Sequence, residues 1–489
     1  MTGRRSGKHK RLPVVSLFSG AMGLDLGLER AGFEIAVAVE CNPFAVQTIR
    51  RNRPDLMVID RRIEDVGTDE ILATAGLGPG DPVVVSGGPS CQVFSTAGAR
   101  GSLGDPRGEL FEPFLRVVRE AKPRFFIMEN VRGLMSAAVK HRPLKERGPG
   151  YPPLEPEEEL GAAFRVVTEK LRGLGYYVMF DVLNAADFGV PQVRQRLVVL
   201  GSRFSEPIAM PRPTHSEGGA GELPRWRTLR DAVGALQEEA PEFYRFCPGK
   251  ERYLTQVPEG GNWRDLPEEK KSEALGKAYV SWGGRSGFFR RLAWDRPSPA
   301  LTTRPDSKAT SLCHPTELRP LTVGEYARVQ QFPDGWEFCG SVRKKYEQVG
   351  NAVPLGLGEA VGRALREAMA SRKKRTPRHG RVECWNLDLL AKLCRRPRTV
   401  VNPPRMRGDS KAETISDWYD GSPRMRDDAF DYAPPELMGE LVQLAKRVPV
   451  ESETQERAGS EEVRPGGRRV SRRQGDDDAE GAVRLSAAE

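Results

Sequence analysis

Long apolar stretches are missing from this sequence of 489 residues. No run reaches about 18 apolar residues, the length that a membrane-spanning helix needs, so we predict no membrane span. The basic start, MTGRRSGKHKRLPVVSLFSG, has an apolar part too short for a signal peptide and passes straight into a predicted strand. We therefore expect a cytoplasmic protein.

Paired cysteines are also missing. The chain has seven cysteines, an odd number, and none of them form a C-x-x-C pair. Cys313 and His314 are neighbours, but no second pair of ligands lies at a plausible spacing. These absences argue against a disulfide framework and against a metal site.

Basic residues are in excess. Lysine and arginine number 76 against 67 acidic residues, which gives a formal net charge of +9. A positive balance suits a polyanionic partner such as nucleic acid, although on its own it is weak support.

Predicted strands and helices alternate along residues 12–202. The pattern predicts strands at 14–18, 35–39, 83–86, 125–128, 177–183 and 196–201, and helices at 24–31, 43–52, 109–121 and 159–173. Such alternation indicates an α/β fold with a doubly wound, mostly parallel sheet. The proline-rich, charged stretch 138–161 breaks the rhythm and is interpreted as a surface insertion.

Three further regions follow this first domain. Residues 203–295 lack clear periodicity and predict a smaller, irregular domain. Helical patterning returns within 296–370, at 322–332 and 356–370. Residues 371–489 begin with a basic run and then lose large apolar groups, so we expect a C-terminal extension that is partly to fully disordered.

A glycine-bearing turn follows the first strand in LFSGAMGLDLGLERAGF (17–33). Gly20 and Gly23 allow a tight turn and close approach of a ligand to backbone N–H groups. Glu40 ends the second strand, where a carboxylate can accept the hydroxyls of a ribose. The spacing of Gly20, Gly23 and Gly27 differs from G-x-G-x-x-G, so a nucleoside cofactor without a diphosphate is favoured.

Four more motifs follow along the chain, and the first two lie at the predicted carboxyl ends of strands. GGPSCQVFS (87–95) puts Cys91 after a strand and a two-glycine bend, and MENVRGL (128–134) puts Glu129 just past a strand end. FGVPQVRQRLVVLGS (188–202) carries Arg194 and Arg196 on one side of an extended segment. VGNAVP (349–354) predicts a loop before a closing helix.

Together these motifs resemble the cytosine-C5 DNA methyltransferase family, in that family's order from residue 14 to about 370. The resemblance implies a Rossmann-like fold dependent on S-adenosylmethionine, with a smaller target-recognition domain at 203–295. It implies a DNA (cytosine-5-)-methyltransferase that methylates a flipped cytosine in a specific duplex sequence through a covalent Cys91 adduct. A flipped base is required because a stacked one is out of reach.

The family resemblance also implies roles for single residues. Cys91 is the expected nucleophile, Glu129 the group that protonates ring N3, and Arg194 and Arg196 the groups that stabilise the flipped nucleotide. The expected cofactor contacts are Phe18, Gly20, Gly23, Glu40, Ile63, Asn351 and Val353. The expected DNA contacts beside the nucleophile are Gln92 and Ser95.

Three positions depart from the family pattern. Ser90 stands where a proline usually precedes the cysteine, and Met22 interrupts the usual double glycine, adding bulk near the methionine moiety. The usual acid that reads the adenine amino group has no clear equivalent in VIDRRIEDV, where arginines align with it. Ile63 is the better candidate for an adenine contact.

Target recognition is expected within 203–295, with help from 296–305. The region offers Trp226, Trp263 and Trp282, and WGGRSGFFRRLAW (282–294) mixes arginine, glycine and aromatic residues, which can read or approach bases. A packing role for the aromatics is an open alternative.

The expected partners are double-stranded DNA and a cognate restriction endonuclease of a bacterial restriction–modification pair. We expect a monomer that associates with the nucleoid through DNA. Two alternatives remain at this stage: a transfer-RNA cytosine methyltransferase on the same scaffold, and a non-catalytic module that binds DNA or cofactor.

Overall fold

The computed structural model describes residues 12–89, 111–140, 142–143, 146–147, 150–159, 161–203, 208–219, 221–279 and 287–371, and the backbone of 382–384. The described strands are β1 (Pro13–Leu17), β2 (Glu34–Val39), β3 (Val58–Ile59), β4 (Val84–Gly87), β5 (Phe125–Val131), β6 (Tyr177–Asn184), β7 (Gln192–Val193), β8 (Gln195–Ser202), β9 (Ser298–Pro299) and β10 (Val382–Cys384). The described α-helices are α1 (Gly23–Arg30), α2 (Pro43–Asn52), α3 (Thr68–Thr74), α4 (Phe111–Ala121), α5 (Ala162–Gly173), α6 (Leu229–Val233), α7 (Pro248–Leu254), α8 (Glu268–Leu275), α9 (Val323–Val329), α10 (Val342–Asn351) and α11 (Leu355–Ala370).

Within these residues, eight strands form one sheet in the order β10-β6-β8-β5-β4-β1-β2-β3. All neighbours pair in parallel except β8, which is antiparallel to both β5 and β6. The predicted α/β fold with a mostly parallel sheet is therefore confirmed.

Both faces of this sheet are covered. Along β5, Phe125 and Ile127 belong to one core cluster, with α1 and α11, whereas Phe126 and Met128 belong to another, with α3, α4 and α5. Successive strand residues point to opposite faces, so a strand buried on both sides is apolar at every position. This is why the strand segments of the sequence are continuous apolar runs.

Strand β8 runs antiparallel to its neighbours, whereas continued strand–helix alternation would have made it parallel. Only residues 185–194 separate β6 from β8, and a parallel crossover needs about a dozen residues or more. The chain therefore reverses, and the first residues of β8 arrive at the edge where β5 ends, with Val131 opposite Arg196.

Helices α1 and α11 cross at very close range. A Cβ at Gly27 would lie 2.5 Å from Leu355 O, and one at Gly358 would lie 2.9 Å from Leu24 O. Side chains at these positions would force the two helices apart. Gly27, the third glycine of the spacing noted in the sequence, therefore serves helix packing.

Part of the region 203–295 has its own small core. Phe246, Tyr253, Leu254, Trp263 and Phe289 pack together with other side chains of α7 and α8. Earlier residues of the region, such as Leu229 and Val233, pack instead on the cluster that contains α1 and α11.

The C-terminal extension contributes to the sheet. Strand β10 pairs in parallel with β6, with Val382 opposite Val178 and Cys384 opposite Phe180. The rest of 372–489 lies outside the described residues. In the described part of the chain, no helix has the length and apolarity to cross a membrane.

Candidate active site

The ends of β1, β2 and β4 meet at one edge of the sheet. Phe18 and Glu40 follow β1 and β2 directly, and Gly88 follows β4. Because β8 runs the other way, its first residues lie at this same edge. Ligands of doubly wound folds bind at such an edge.

Glu40 organises the first turn. Its Oε2 accepts a hydrogen bond from Gly20 N at 2.7 Å, and its Oε1 accepts from Cys41 N at 2.9 Å and Asn42 N at 2.7 Å. Gly20 has a φ of 53° and Phe18 one of 55°, so both residues of the turn adopt a left-handed backbone conformation. No atom lies within 4 Å of the position of a Cβ at Gly20, so space is open above it. A half-buried carboxylate beside a glycine turn fits the ribose of a nucleoside cofactor.

Met22 has a left-handed backbone, with φ 68°, at the start of α1. Its side chain is fully buried in the core cluster of α1 and α11. Its bulk is therefore accommodated by packing, which differs from the expectation that it adds bulk near the methionine moiety of the cofactor.

The start of α1 touches the segment 349–354. A Cβ at Gly23 would lie 2.3 Å from Val353 O and 3.0 Å from Ala352 Cβ, so only glycine permits this contact. The predicted loop is shorter than expected, since Val349, Gly350 and Asn351 belong to α10. Asn351 is exposed and Val353 is buried.

Ile63 is buried at the start of a short 3-10 helix, Ile63–Asp65. Its carbonyl accepts a hydrogen bond from Arg116 Nη2 at 2.8 Å. Arg62, which aligns with the missing adenine-reading acid, forms an ion pair with Glu64 at 2.8 Å. Asp60 and Glu64 are the carboxylates nearest to that position in sequence, each two residues away, and both are held in ion pairs, Asp60 with Arg50 and Glu64 with Arg62.

Glu129 and Arg196 form an ion pair, with Glu129 Oε1 2.6 Å from Arg196 Nε and both side chains 13% exposed. Glu129 lies inside β5, two residues before its end, and not past the strand end as the sequence suggested. Burial raises the pKa of the Glu129 carboxyl, and the positive charges of Arg196 and Arg194 oppose this rise.

The segment leading to Cys91 is fixed against β5. A Cβ at Gly88 would lie 2.9 Å from Glu129 Oε2, so the carboxylate rests on this glycine. Asn130 Nδ2 donates to Pro89 O at 3.2 Å. Cys91, Gln92 and Ser95 lie outside the described residues, and Pro89 is the last described residue before them.

Arg194 is buried and holds separate segments together. Its guanidinium donates to Leu301 O at 2.9 Å and to Gly350 O at 2.6 Å. Its Nη1 also approaches Gln192 Oε1 at 3.4 Å. The sequence pointed to the arginine but missed Gln192 and its partner Gln330, because a glutamine in a motif carries no chemical signal of its own.

Two of the aromatic residues suggested for target recognition have structural contacts. Trp226 Nε1 donates to Asp187 Oδ1 at 2.9 Å, and Trp263 is buried in the small core. Arg291 is also buried and donates to backbone carbonyls that include those of Leu254 and Val257. Trp282 lies outside the described residues.

The described side chains include no group of three or more histidine, cysteine or acidic residues that could hold a metal ion. The polar groups at the sheet edge are instead a carboxylate on a glycine turn and an acid–arginine pair. Together with the α/β fold they fit an enzyme that binds a nucleoside cofactor beside a second substrate.

Comparisons with known proteins identify the family. The sequence profile described as C-5 cytosine-specific DNA methylase matches residues 12–367. The chain is 36% identical over 362 residues to the Type II methyltransferase M.Sau96I of Staphylococcus aureus, covering 73% of this chain and 76% of that protein. It is 37% identical over 362 residues to the Type II methyltransferase M.PspPI of a Psychrobacter strain, covering 72% and 78%.

The chain therefore belongs to the C-5 cytosine-specific DNA methylase family. It is a DNA (cytosine-5-)-methyltransferase, and its methyl donor is S-adenosylmethionine. The Glu40 turn and the open space over Gly20 fit that donor.

Proposed function

We propose that this enzyme methylates one cytosine within a short duplex sequence as the modification enzyme of a Type II restriction–modification system, with Cys91 as nucleophile and Glu129 as proton donor. The observation that supports this most directly is the largely buried Glu129–Arg196 pair beside Gly88, which stands three residues before Cys91 in the sequence. The names of the relatives support the restriction–modification role.

The chemistry needs a thiolate and an acid together. Carbon 5 of cytosine is a poor nucleophile until the Cys91 thiolate bonds to carbon 6 and Glu129 gives its proton to N3, which makes the ring enamine-like. Bound S-adenosylmethionine supplies the methyl group that carbon 5 then takes. Loss of the carbon 5 proton to a base breaks the bond from sulfur to carbon 6, releases the Cys91 thiolate and returns the N3 proton to Glu129.

The raised pKa of Glu129 suits this role. Burial favours its protonated form, whereas Arg196 at 2.6 Å favours the ionised form. A carboxyl under such opposed influences can release a proton to N3 and take it back within one turnover. Arg196 orients the carboxyl, and Arg194 fixes the local backbone beside the base.

The remaining assignments concern the cofactor and the DNA. Phe18, Gly20, Glu40 and Ile63 border the cofactor on one side, and Gly23 holds the segment with Asn351 and Val353 on the other. Gln92 and Ser95 contact DNA beside the flipped base. Residues 203–295 recognise the target sequence, and this role is supported by the separate core that includes α7 and α8.

The biological setting follows from the same proposal. The enzyme acts as a monomer on chromosomal DNA in the bacterial cytoplasm, and a restriction endonuclease with the same target is its functional partner. Single-subunit action suits a modification enzyme, because each strand of a duplex site is methylated in a separate event.

The test begins by sequencing methylated cytosines in DNA from cells that express the protein, which gives the target. A duplex that carries 5-fluorocytosine at that position, and an RNA of the same sequence, are then incubated with enzyme and S-adenosylmethionine. Fluorine is unable to leave carbon 5 as a cation, so the Cys91 adduct should persist on DNA through denaturing electrophoresis. Trapping on RNA alone, or no trapping on either, would overturn the proposal.

A further inference from the structure

Two buried glutamines are joined through their side-chain amides. Gln192 Nε2 donates to Gln330 Oε1 at 2.9 Å, although 138 residues separate them in the chain. Both side chains are 0% exposed. A direct bond between two amides in the interior of a protein requires that their remaining polar atoms also find partners.

Gln330 holds the end of α10 and the residue after it. Its Nε2 donates to Val349 O at 2.7 Å and to Ala352 O at 3.0 Å. Its backbone carbonyl accepts from Leu355 N at 3.1 Å. These bonds bracket Asn351 and Val353 from both sides.

Gln192 contacts Leu301 and Arg194 on the other side of the amide pair. Its Oε1 accepts from Leu301 N at 3.0 Å and lies 3.4 Å from Arg194 Nη1. Arg194 in turn donates to Leu301 O and to Gly350 O. Arg194, Gln192, Gln330 and the segment 349–354 therefore form a closed circuit.

The polarity of this circuit is fixed. Both hydrogens of Gln330 Nε2 face carbonyls, so its Oε1 must face the amide nitrogen of Gln192. Turning either amide over would bring oxygen against oxygen in a buried site, which costs more than a hydrogen bond gains. The circuit should therefore keep or lose its geometry as a unit.

We propose that Gln192 and Gln330 are positioning residues that couple the segment 349–354 to Arg194, which stands two residues before the arginine that pairs with Glu129. The inference rests on the proposed function, in which that segment borders the cofactor and Arg194 lies beside the target base. Binding of the cofactor and binding of the target duplex then strengthen each other by the same factor.

The test uses the full-length protein and S-adenosylhomocysteine as the binding probe. Calorimetry measures its affinity with and without a duplex that carries the target sequence, and methyl transfer gives kcat and KM for S-adenosylmethionine. The variants are Gln192→Met, Gln330→Met and the double variant, since methionine keeps most of the volume but makes no such hydrogen bonds. Gln330→Asn, a neutral amide whose shorter side chain is unable to span the same contacts, replaces Gln330→Met if that variant does not fold.

The matched control is Gln348→Met on α10. Gln348 is also buried, but its amide binds Thr48, Cys339 and Lys344 and makes no bond to the circuit. Removal of the Gln348 amide should lower the thermal stability of the protein. DNA should still enhance binding of S-adenosylhomocysteine to this variant as it does in the natural protein.

We expect each single variant to reduce that enhancement about tenfold, which corresponds to the loss of one or two buried hydrogen bonds. The double variant should be no worse than either single one, because one broken link opens the whole circuit. Three outcomes would each overturn the inference. The first is that DNA enhances probe binding equally in the folded variants and in the natural protein, and the second is that the losses of the two single variants add in the double variant. The third is that DNA does not enhance probe binding in a natural protein that methylates DNA. Failure of the natural protein to methylate DNA would instead overturn the proposed function.

Discussion

Glu129 and Arg196 face each other diagonally across antiparallel strands β5 and β8. Glu129 is opposite Val198 and Arg196 is opposite Val131, so the two side chains lie on the same face of the sheet two positions apart. Their 2.6 Å contact exists only because β8 reverses direction and begins where β5 ends. A parallel β8 would put the arginine at the opposite edge.

The first prediction concerns Glu129→Gln. Glutamine keeps the shape and can donate a hydrogen bond to N3, but it has no proton to transfer. We expect kcat to fall about 10²–10⁴-fold, with KM for S-adenosylmethionine little changed, in steady-state assays on target duplex. A large loss of cofactor affinity with normal turnover at saturation would contradict the proton-donor role.

The second prediction concerns Cys91→Ser. A hydroxyl is far less ionised than a thiol near neutral pH, so addition to carbon 6 should cease. Methyl transfer and 5-fluorocytosine trapping should both be lost, while calorimetry still detects binding of S-adenosylhomocysteine and duplex. Cys339→Ser, at a half-buried cysteine of another segment, is the matched control and should retain activity.

Much of the fold follows from the sequence, because each two-sided strand is a short apolar run between turn residues. The reversal of β8 was not evident from the pattern alone, since an apolar run indicates a strand but not its direction. The length of the connection 185–194 carries that information. The pairing of β10 was missed because its three residues show no periodicity within a long polar extension.

Some residues of the candidate site could be predicted from the sequence and others could not. Glu40 and Glu129 could be found because each is a carboxylate directly after a run of apolar strand residues, which is an unusual position for an acid that binds nothing. Gln192 and Gln330 could not, because their contact joins residues 138 positions apart and depends on the packing of α9, α10 and β7. The packing role of Gly27 could not be predicted either, because a glycine needed for helix contact looks the same in sequence as one needed for a ligand.

The third prediction concerns Gly23→Ala. The added methyl would lie 2.3 Å from Val353 O, so the segment 349–354 must shift. We expect KM for S-adenosylmethionine to rise about tenfold or more, since a displacement of this size costs at least about 1.4 kcal/mol. Gly67→Ala, where no atom lies within 4 Å of the new methyl, is the control. An unchanged KM in Gly23→Ala would contradict the role of this contact in cofactor binding.

The fourth prediction concerns the C-terminal extension. Deletion from residue 376 removes β10 and leaves the edge of β6 unpaired, whereas deletion from residue 391 retains the three residues that pair with β6. We expect the shorter protein to lose about 2–4 °C in Tm and to aggregate more readily, with kcat unchanged. Equal stability of the two truncated proteins would show that β10 contributes little.

The last prediction concerns Asp25, a buried carboxyl in the first turn of α1, beside Ser16 and near Glu29, Arg53 and Glu40. Burial raises its pKa from 3.8 to about 7 in the folded protein.

The unfolded chain ionises Asp25 from about pH 4, while the folded protein keeps the proton until about pH 7. The contribution of Asp25 to stability is therefore complete below pH 4 and is lost as the pH rises to about 7. An asparagine side chain at this position would be neutral in both states. The difference in free energy of unfolding between Asp25→Asn and the natural protein should therefore shift in favour of the variant by about 2 to 3 kcal/mol between pH 5 and pH 8. Urea unfolding at several pH values measures this difference, and Asp69→Asn, at an exposed position of α3, is the control. A difference between Asp25→Asn and the natural protein that stays constant with pH would show that the folded protein holds Asp25 ionised throughout.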